Sequence, residues 1–504
     1  MADRRAEENA VTGGPQNTSI EDFDPPMKPK TSKFAIACAL LACTTSVLLG
    51  YVEVLTGTLN IYSLLGSAFA GRTSDWIGRK YTIVLAGVIF LVGALLMGFA
   101  TNYAFLMVGR FVAGVGVGYG MMIAPVYTAE ISPASFRGFL TSFPEVFVNV
   151  GILLGYIANY AFSKLPLHLG WRFMLGVGGV PAIFLTVGVL FMPESPRWLV
   201  MQGRLGDAKK VLQRTSESKE ECQLRLDDIK EAAGIPPHLN DDIVQVTKSS
   251  HGEGVWKELI LHPTPAVRHI LIAAVGIHFF EQASGIDTVV LYSPRIFTKA
   301  GITSSNHKLL ATVAVGFTKT VFILVATFFL DKFGRRPLLL TSVGGMVFSL
   351  MFLGVGLTIV DHHKGSVPWA IGLCMAMVYF NVAFFSIGLG PITWVYSSEI
   401  FPLKLRAQGV SIGVACNRVT SGVVSMTFIS LYKAITIGGA FFLYAGISAA
   451  AWIFFYTMLP ETQGRTLEDT EVLFGKYHRW RKANAMLKER KQVDGDDNNN
   501  AQVF

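Results

Sequence analysis

Six ionisable residues, Arg110, Glu145, Glu281, Asp287, Lys319 and Arg418, fall inside runs of otherwise apolar sequence. A charge in hydrocarbon costs about 3 kcal/mol or more unless it faces a partner or a water-filled cavity. Six such residues exceed what helix packing alone accounts for, so they imply a polar site within a membrane. Gln282 beside Glu281, Asn417 beside Arg418, and Trp394 extend the set. Carboxylates accept hydrogen bonds, amides both donate and accept, and an indole offers a flat apolar face. That combination suits a hydroxyl-rich ligand with a carbon skeleton. For any single member the competing reading is an interhelical hydrogen bond, or an ion pair such as Glu281 with Lys319.

A second group of charges repeats along the chain. The stretch from Gly71 through Asp75 to Gly78, Arg79 and Lys80 is echoed by Asp331, Gly334, Arg335 and Arg336. Glu130 before Pro133 and Arg137 is echoed by Glu399 before Pro402 and Arg406, and Pro193-Glu194 by Pro460-Glu461. Asp75 and Asp331 are expected in tight glycine-containing loops, pairing with loop arginines or capping a helix start. Arg137 and Arg406 are placed to reach Glu194, Glu461, Glu130 or Glu399 across a seam between two halves, as a gate. Basic residues that merely anchor loops are the bland alternative. The regular placement of the acids favours the gate, because topology alone does not require them.

These residues need membrane-spanning helices to hold them. Of 504 residues, 51% are hydrophobic and 15% charged, against roughly 25% charged in soluble domains. Apolar blocks near the ~20 residues that cross a bilayer lie near 34–51, 54–71, 81–100, 104–128, 140–162 and 172–192. A second set lies near 267–297, 308–330, 337–359, 369–397, 407–432 and 437–459. The chain divides into a polar tail (1–33), a first membrane half (34–192), a helix-prone polar linker (193–266), a second half (267–459) and a tail (460–504). Three motifs repeating in the same order indicate two parallel six-span halves with a ligand between them.

The net charge of +8 does not indicate a nucleic-acid partner, since its cations crowd loops on one side, the linker and the tail. This positive-inside pattern puts both termini in the cytoplasm, so Asn17-Thr18-Ser19 is not expected to be glycosylated. No cleavable signal peptide is evident before Phe34. The scattered cysteines and histidines, including the loop pair His362-His363, lack metal or disulfide spacing, and no cofactor is expected. Gly114, Gly116 and Gly118 read as a helix-packing stripe.

The motifs resemble the sugar-porter family of the major facilitator superfamily. The carriers are the Gly71–Lys80 loop, Pro193-Glu194-Ser195-Pro196-Arg197-Trp198, Gln282-Ala283-Ser284-Gly285-Ile286-Asp287, Gly390-Pro391-Ile392-Thr393-Trp394 and Pro460-Glu461-Thr462-Gln463-Gly464. The run Leu291 to Phe297, with Lys319 and Asn417-Arg418, looks most like the plant polyol/monosaccharide transporters. The resemblance implies an all-α membrane protein, nominally of twelve spans, that is not an enzyme. It implies secondary transport of polyols, cyclitols or monosaccharides by alternating access, coupled to protons, at the plasma membrane. It places Glu145, Glu281, Gln282, Asp287, Lys319, Trp394 and Asn417 around the sugar, with Arg418 facing the same cavity. Tyr292, beyond a helix break at Gly285, becomes an extracellular lid. The cytoplasmic gate comprises Asp75, Arg79, Glu130, Arg137, Glu194, Asp331, Arg335, Glu399, Arg406 and Glu461. Acids where many sugar porters carry amides argue against glucose-type selectivity.

The sequence departs from this pattern at its first helix pair. Lys33 and Asp75 stand 42 residues apart, whereas the matching Arg268 and Asp331 stand 63 apart. The 37 residues from Phe34 to Ala70 form too long a single helix (~55 Å for a ~30 Å core) and leave no loop for two. Glu53 and Gly57 mark where the chain can turn. By the resemblance, the missing piece carries the aspartate that takes the proton and pairs with Arg110. Without it, Arg110 has only Glu145 or Glu53 to turn to. A splice form or faulty gene model is the reading this supports. An uncoupled facilitator and a non-transporting sensor are the alternatives to a proton symporter.

Overall fold

The computed structural model describes residues 33–43, 58–133, 137–162, 165–216, 218–236, 241–244, 257–291, 293–299, 305–363, 367–463 and 474. Its first-half helices are α1 (Lys33–Cys43), α2 (Thr58–Ile77), α3 (Arg79–Gly98), α4 (Tyr103–Ile131), α5 (Arg137–Phe162), α6 (Leu167–Gly176) and α7 (Gly179–Leu190). The linker forms α8 (Pro196–Met201), α9 (Leu205–Thr215) and α10 (Lys219–Ala232). The second half follows as α11 (Pro265–Ala283), α12 (Ile286–Leu291), α13 (Ser293–Lys299), α14 (Ser305–Phe333) and α15 (Arg335–His362). It ends with α16 (Pro368–Ile387), α17 (Leu389–Ile400), α18 (Arg406–Ile435) and α19 (Ile437–Met458).

Ten helical segments among the described residues are long and apolar enough to cross a membrane. Large apolar side chains such as Phe69, Phe184, Phe191 and Phe328 stand outward and exposed, as lipid permits and water does not. The α1 helix has 11 residues, about 16 Å of rise, and the proposed turn at Glu53 and Gly57 lies outside the described residues.

Local sequence explains where helices start and break. Asn102 Oδ1 accepts from Phe105 N at 2.8 Å to cap α4, and Thr264 caps α11 with Pro265 in its first turn, where its missing N–H costs nothing. Gly285 takes φ 82° and separates α11 from α12, the expected break. Asp75 corrects the loop expectation: it lies in the last turn of α2, and Asp331 lies in the backbone of α14. The intervening loops shrink to Gly78 and Gly334, at φ 95° and 86°.

In a bilayer, close packing and hydrogen bonds replace the hydrophobic effect between helices. A Cβ on Gly118 of α4 would come 2.0 Å from Ser63 O of α2, and one on Gly116 would come 2.7 Å from Phe90 N of α3. The glycine stripe is therefore a packing surface. The halves meet where α2 lies on α18 and α5 on α14. Gly71 of α2 leaves room for Ala407 O, which a Cβ would approach to 3.0 Å, and Ser411 Oγ donates to Ser67 O across the same seam. The linker has its own core of Leu199, Val200, Leu205, Leu212, Leu226 and Ile229. Leu403, just before α18, joins it, so the linker touches both halves.

At Gly78 and Gly334 any Cβ would meet strain from positive φ and a carboxylate at once, coming 2.4 Å from Glu194 Oε2 and 2.9 Å from Glu461 Oε2. Gly78→Ala and Gly334→Ala should each destabilise the protein by about 1–2 kcal/mol. A thermal melt of the purified protein in detergent checks this, and unchanged melting in both variants would remove the special role given to these glycines.

Candidate functional site

Two buried polar clusters stand out, one central and one at the linker end. In the central cluster α5 contributes Glu145, whose Oε1 and main-chain O lie 3.4 and 2.7 Å from the Asn149 amide nitrogen. The second half supplies the rest. Asn417 Nδ2 donates to Glu281 Oε2 at 2.8 Å, and Arg418 Nε donates to Asn417 Oδ1 at 3.0 Å. The Gln282 amide donates to Asp287 Oδ2 at 2.9 Å, and Ser421 Oγ donates to the same oxygen. Lys319 Nζ sits 5.7 Å from the centre of the Phe385 ring. All eight substrate-site residues expected from sequence are buried. The charges of Lys319, Arg418 and Asp287 bear on Glu145 from across the seam between the halves.

The competing reading of a Glu281–Lys319 ion pair finds no such pair among the described residues, where Glu281 faces Asn417 and His278. His278 is a residue that sequence reasoning passed over, since a lone histidine in an apolar run carries no spacing signal. It lies one turn before Glu281, its Nδ1 is 3.8 Å from Glu281 Oε2, and its ring stands edge-on to Trp394 at 5.2 Å. Neither His278 nitrogen, nor Trp394 Nε1, has a hydrogen-bond partner among the described residues. Buried polar atoms are ordinarily paired, and here three without a hydrogen-bond partner belong to two rings in contact. Asn149 is a second member that the sequence did not single out.

The linker-end cluster occurs twice. Arg79 Nε and Nη2 donate to the two Glu130 oxygens at 3.0 and 3.2 Å, and Nη1 donates to Asp75 Oδ1 at 3.0 Å. Ser195 Oγ adds a bond of 2.5 Å to Glu130. Glu194 accepts from the backbone N–H groups of Arg79, Lys80 and Ser195 at 2.8–3.2 Å, so it caps α3 from another part of the chain. Burial pushes the Glu194 carboxyl up from its ordinary range, while these N–H groups and Arg79 pull it back. In the second copy Arg335 Nη2 donates to Glu399 Oε1 at 3.0 Å. Glu461 accepts from Arg335 N and Arg336 N at 3.0 and 2.9 Å. Tyr127 and Tyr396 donate to the carbonyls of Pro193 and Pro460 in matching positions.

The acids thus find arginines within their own halves, Arg79 and Arg335, where the sequence reading had set Arg137 and Arg406 against them across the seam. Arg406 Nη2 donates to Phe401 O at 3.1 Å, although its charge also acts on Glu130 of the other half. The side chains of Arg137 and Asp331, and all of Tyr292, lie outside the described residues. Across the seam itself, Gln408 Nε2 donates to Asp75 Oδ2 at 3.5 Å, and from the linker Trp198 Nε1 donates to Asp75 O at 3.0 Å.

Residues 10–474 match the family described as Sugar (and other) transporter. The chain belongs to that family. Polyol transporter 5 of Arabidopsis thaliana is 63% identical over 484 residues, covering 92% of this chain and 90% of its own length. Those 484 aligned positions are more than 92% of a 504-residue chain supplies, so the relative carries residues that this chain lacks. The proton:xylose symporter XylE bound to 6-bromo-6-deoxy-D-glucose superposes with TM-score 0.76 at 25% identity, over 88% of this chain and 100% of that one. Inward-open XylE from E. coli superposes less well, with TM-score 0.61 at 25% identity over 87% and 98%. The chain is a multi-pass transporter of the major facilitator fold, not an enzyme.

Removing one partner of a buried ion pair leaves the other charge unpaired, at about 3–5 kcal/mol. Arg79→Ala or Arg335→Ala should therefore loosen the linker end. In a variant without native cysteines, a cysteine at Gln408 should react faster with a thiol reagent when either arginine is removed. Unchanged reactivity in both would restrict these arginines to holding topology.

Proposed function

We propose that this transporter carries a polyol, cyclitol or monosaccharide between its halves by alternating access. The carrying observation is the central cluster, where acids pair with amides and His278, beside Glu281, meets Trp394 with its nitrogens unpartnered among the described residues. Hydroxyl groups of a linear or cyclic polyol can donate to the carboxylates and accept from the indole N–H, while the indole face covers the carbon skeleton. The 63% identity to a polyol transporter supports the substrate class. In this reading the linker side is cytoplasmic, both termini lie there, and the membrane is the plasma membrane. The linker-end ion pairs form the inner gate and Tyr292 the outer lid.

Trp394→Ala and Gln282→Ala should each abolish saturable polyol binding while surface expression persists. Ligand affinity surviving both changes, measured by isotope binding to membranes, would displace the site.

Proton coupling in the xylose symporter XylE supports symport here, with Glu145 as the first-half acid on which the charges of Lys319 and Arg418 act. A specific observation favours a second reading, uncoupled facilitation. Arg110 is half-buried and has no hydrogen bond or ion pair among the described residues, and Glu53, the acid of the short first helix pair, lies outside them. A titrating carboxylate needs a partner that stabilises its charged form. Uptake by this chain should accordingly be weak and nearly flat from about pH 5 to about pH 7. Restoring the family segment after Tyr51, with its aspartate, should yield acid-stimulated uptake and a substrate-induced inward current. Strong acid stimulation of the unmodified chain, lost in Glu145→Gln, would instead establish Glu145 as the proton carrier.

A further inference from the structure

At the linker end of the first half, α3, the segment after α7, α8 and α9 line an open cavity of about 360 Å³ that shares no residue with the central cluster. Four cations line it: Lys80 at the start of α3, and Arg204, Lys210 and Arg214 at and along α9. Two acids line it as well, and both are engaged. Glu194 holds the N–H groups at the start of α3, and Asp207 accepts from Arg204 at 2.5 Å and from Lys210 at 3.2 Å. Positive charge exceeds negative by two within one concavity. The cations come from a membrane span and from a linker helix far apart in sequence, so only the fold assembles them.

The surroundings of the mouth say what kind of anion it meets. Tyr81, one residue along α3, lines the cavity and is 56% exposed. Phe191, just past α7 and next in the chain to the lining residue Met192, is 83% exposed. Both terminate apolar spans, so the cavity opens where hydrocarbon gives way to headgroups. A soluble anion would use the cations and gain nothing from these rings. A lipid uses both, with its acyl chains along Tyr81 and Phe191 and its headgroup among Lys80, Arg204, Lys210 and Arg214. Basic pockets beside spans suit phosphorylated headgroups, whose several acceptor oxygens answer several donors at once.

We infer that this cavity binds the phosphate-bearing headgroup of an anionic lipid in the leaflet on the linker side. Bound there, the headgroup joins α9 to the start of α3. The full-length protein, reconstituted in phosphatidylcholine containing phosphatidylinositol 4-phosphate and read by native mass spectrometry, tests this. Lys80→Gln and Arg214→Gln should each weaken phosphatidylinositol 4-phosphate binding about fivefold, with melting temperatures showing that both variants fold. Lys209→Gln, on the same helix but outside the cavity, should leave binding unchanged. Equal weakening by Lys209→Gln would reduce the effect to diffuse surface charge and overturn the site. Soluble inositol 1,4-bisphosphate binding as tightly as the lipid, with the same dependence on Lys80, would assign the cavity to a soluble phosphate and overturn the lipid.

Discussion

The buried pairing of Arg79 with Glu130 is the interaction on which much of the rest depends. Both side chains are almost wholly withdrawn from solvent, and a buried ion pair persists only where its remaining donors and acceptors are also satisfied. Each requirement pulls in another element. Asp75 brings α2, Ser195 brings the start of α8, and Arg197 donates to Glu130 O at 2.9 Å from within α8. Glu194 then fastens the N-terminus of α3, where helix N–H groups favour a negative charge. The same construction around Arg335, Glu399 and Glu461 gives the second half an equivalent joint.

The two polar clusters differ in which groups meet a protein partner. At the linker end nearly every acid oxygen is matched by a donor of the same half, which suits a joint that holds one arrangement until the halves move. In the centre, amides pair with acids, while Trp394 Nε1 and both His278 nitrogens have no hydrogen-bond partner among the described residues. The chain superposes better on ligand-bound than on inward-open XylE, and α2 is seated on α18 across the seam.

Glycine serves two separate purposes in this frame. At Gly66 and Gly118 its missing side chain lets α2 and α4 touch backbone to backbone, where a Cβ would come within 2.1 and 2.0 Å of carbonyl oxygens. At Gly78 and Gly334 it permits a one-residue turn while leaving room for the capping glutamate. The first purpose brings the spans together without help from water, and the second points a helix N-terminus at its counter-charge.

Apolar block length by itself determined the helical membrane class, because a bilayer requires a fixed rise and satisfied backbone polar groups. The echo of Asp75–Arg79 by Asp331–Arg335, and of Glu194 by Glu461, determined the two-half plan, since such repeats reflect recurring joints. The buried acids and amides were legible for the same reason: a charge in an apolar run needs a partner wherever it lies. Partner choice was decided only by tertiary structure. That Glu130 takes its hydrogen bonds from Arg79 depends on how α2, α3 and α4 pack. So does the placing of Asp75 inside a helix instead of a loop. His278 became visible only when Trp394 and Glu281, on other turns and helices, closed around it. Distances between side chains far apart in sequence follow from helix crossings, which one-dimensional spacing does not encode.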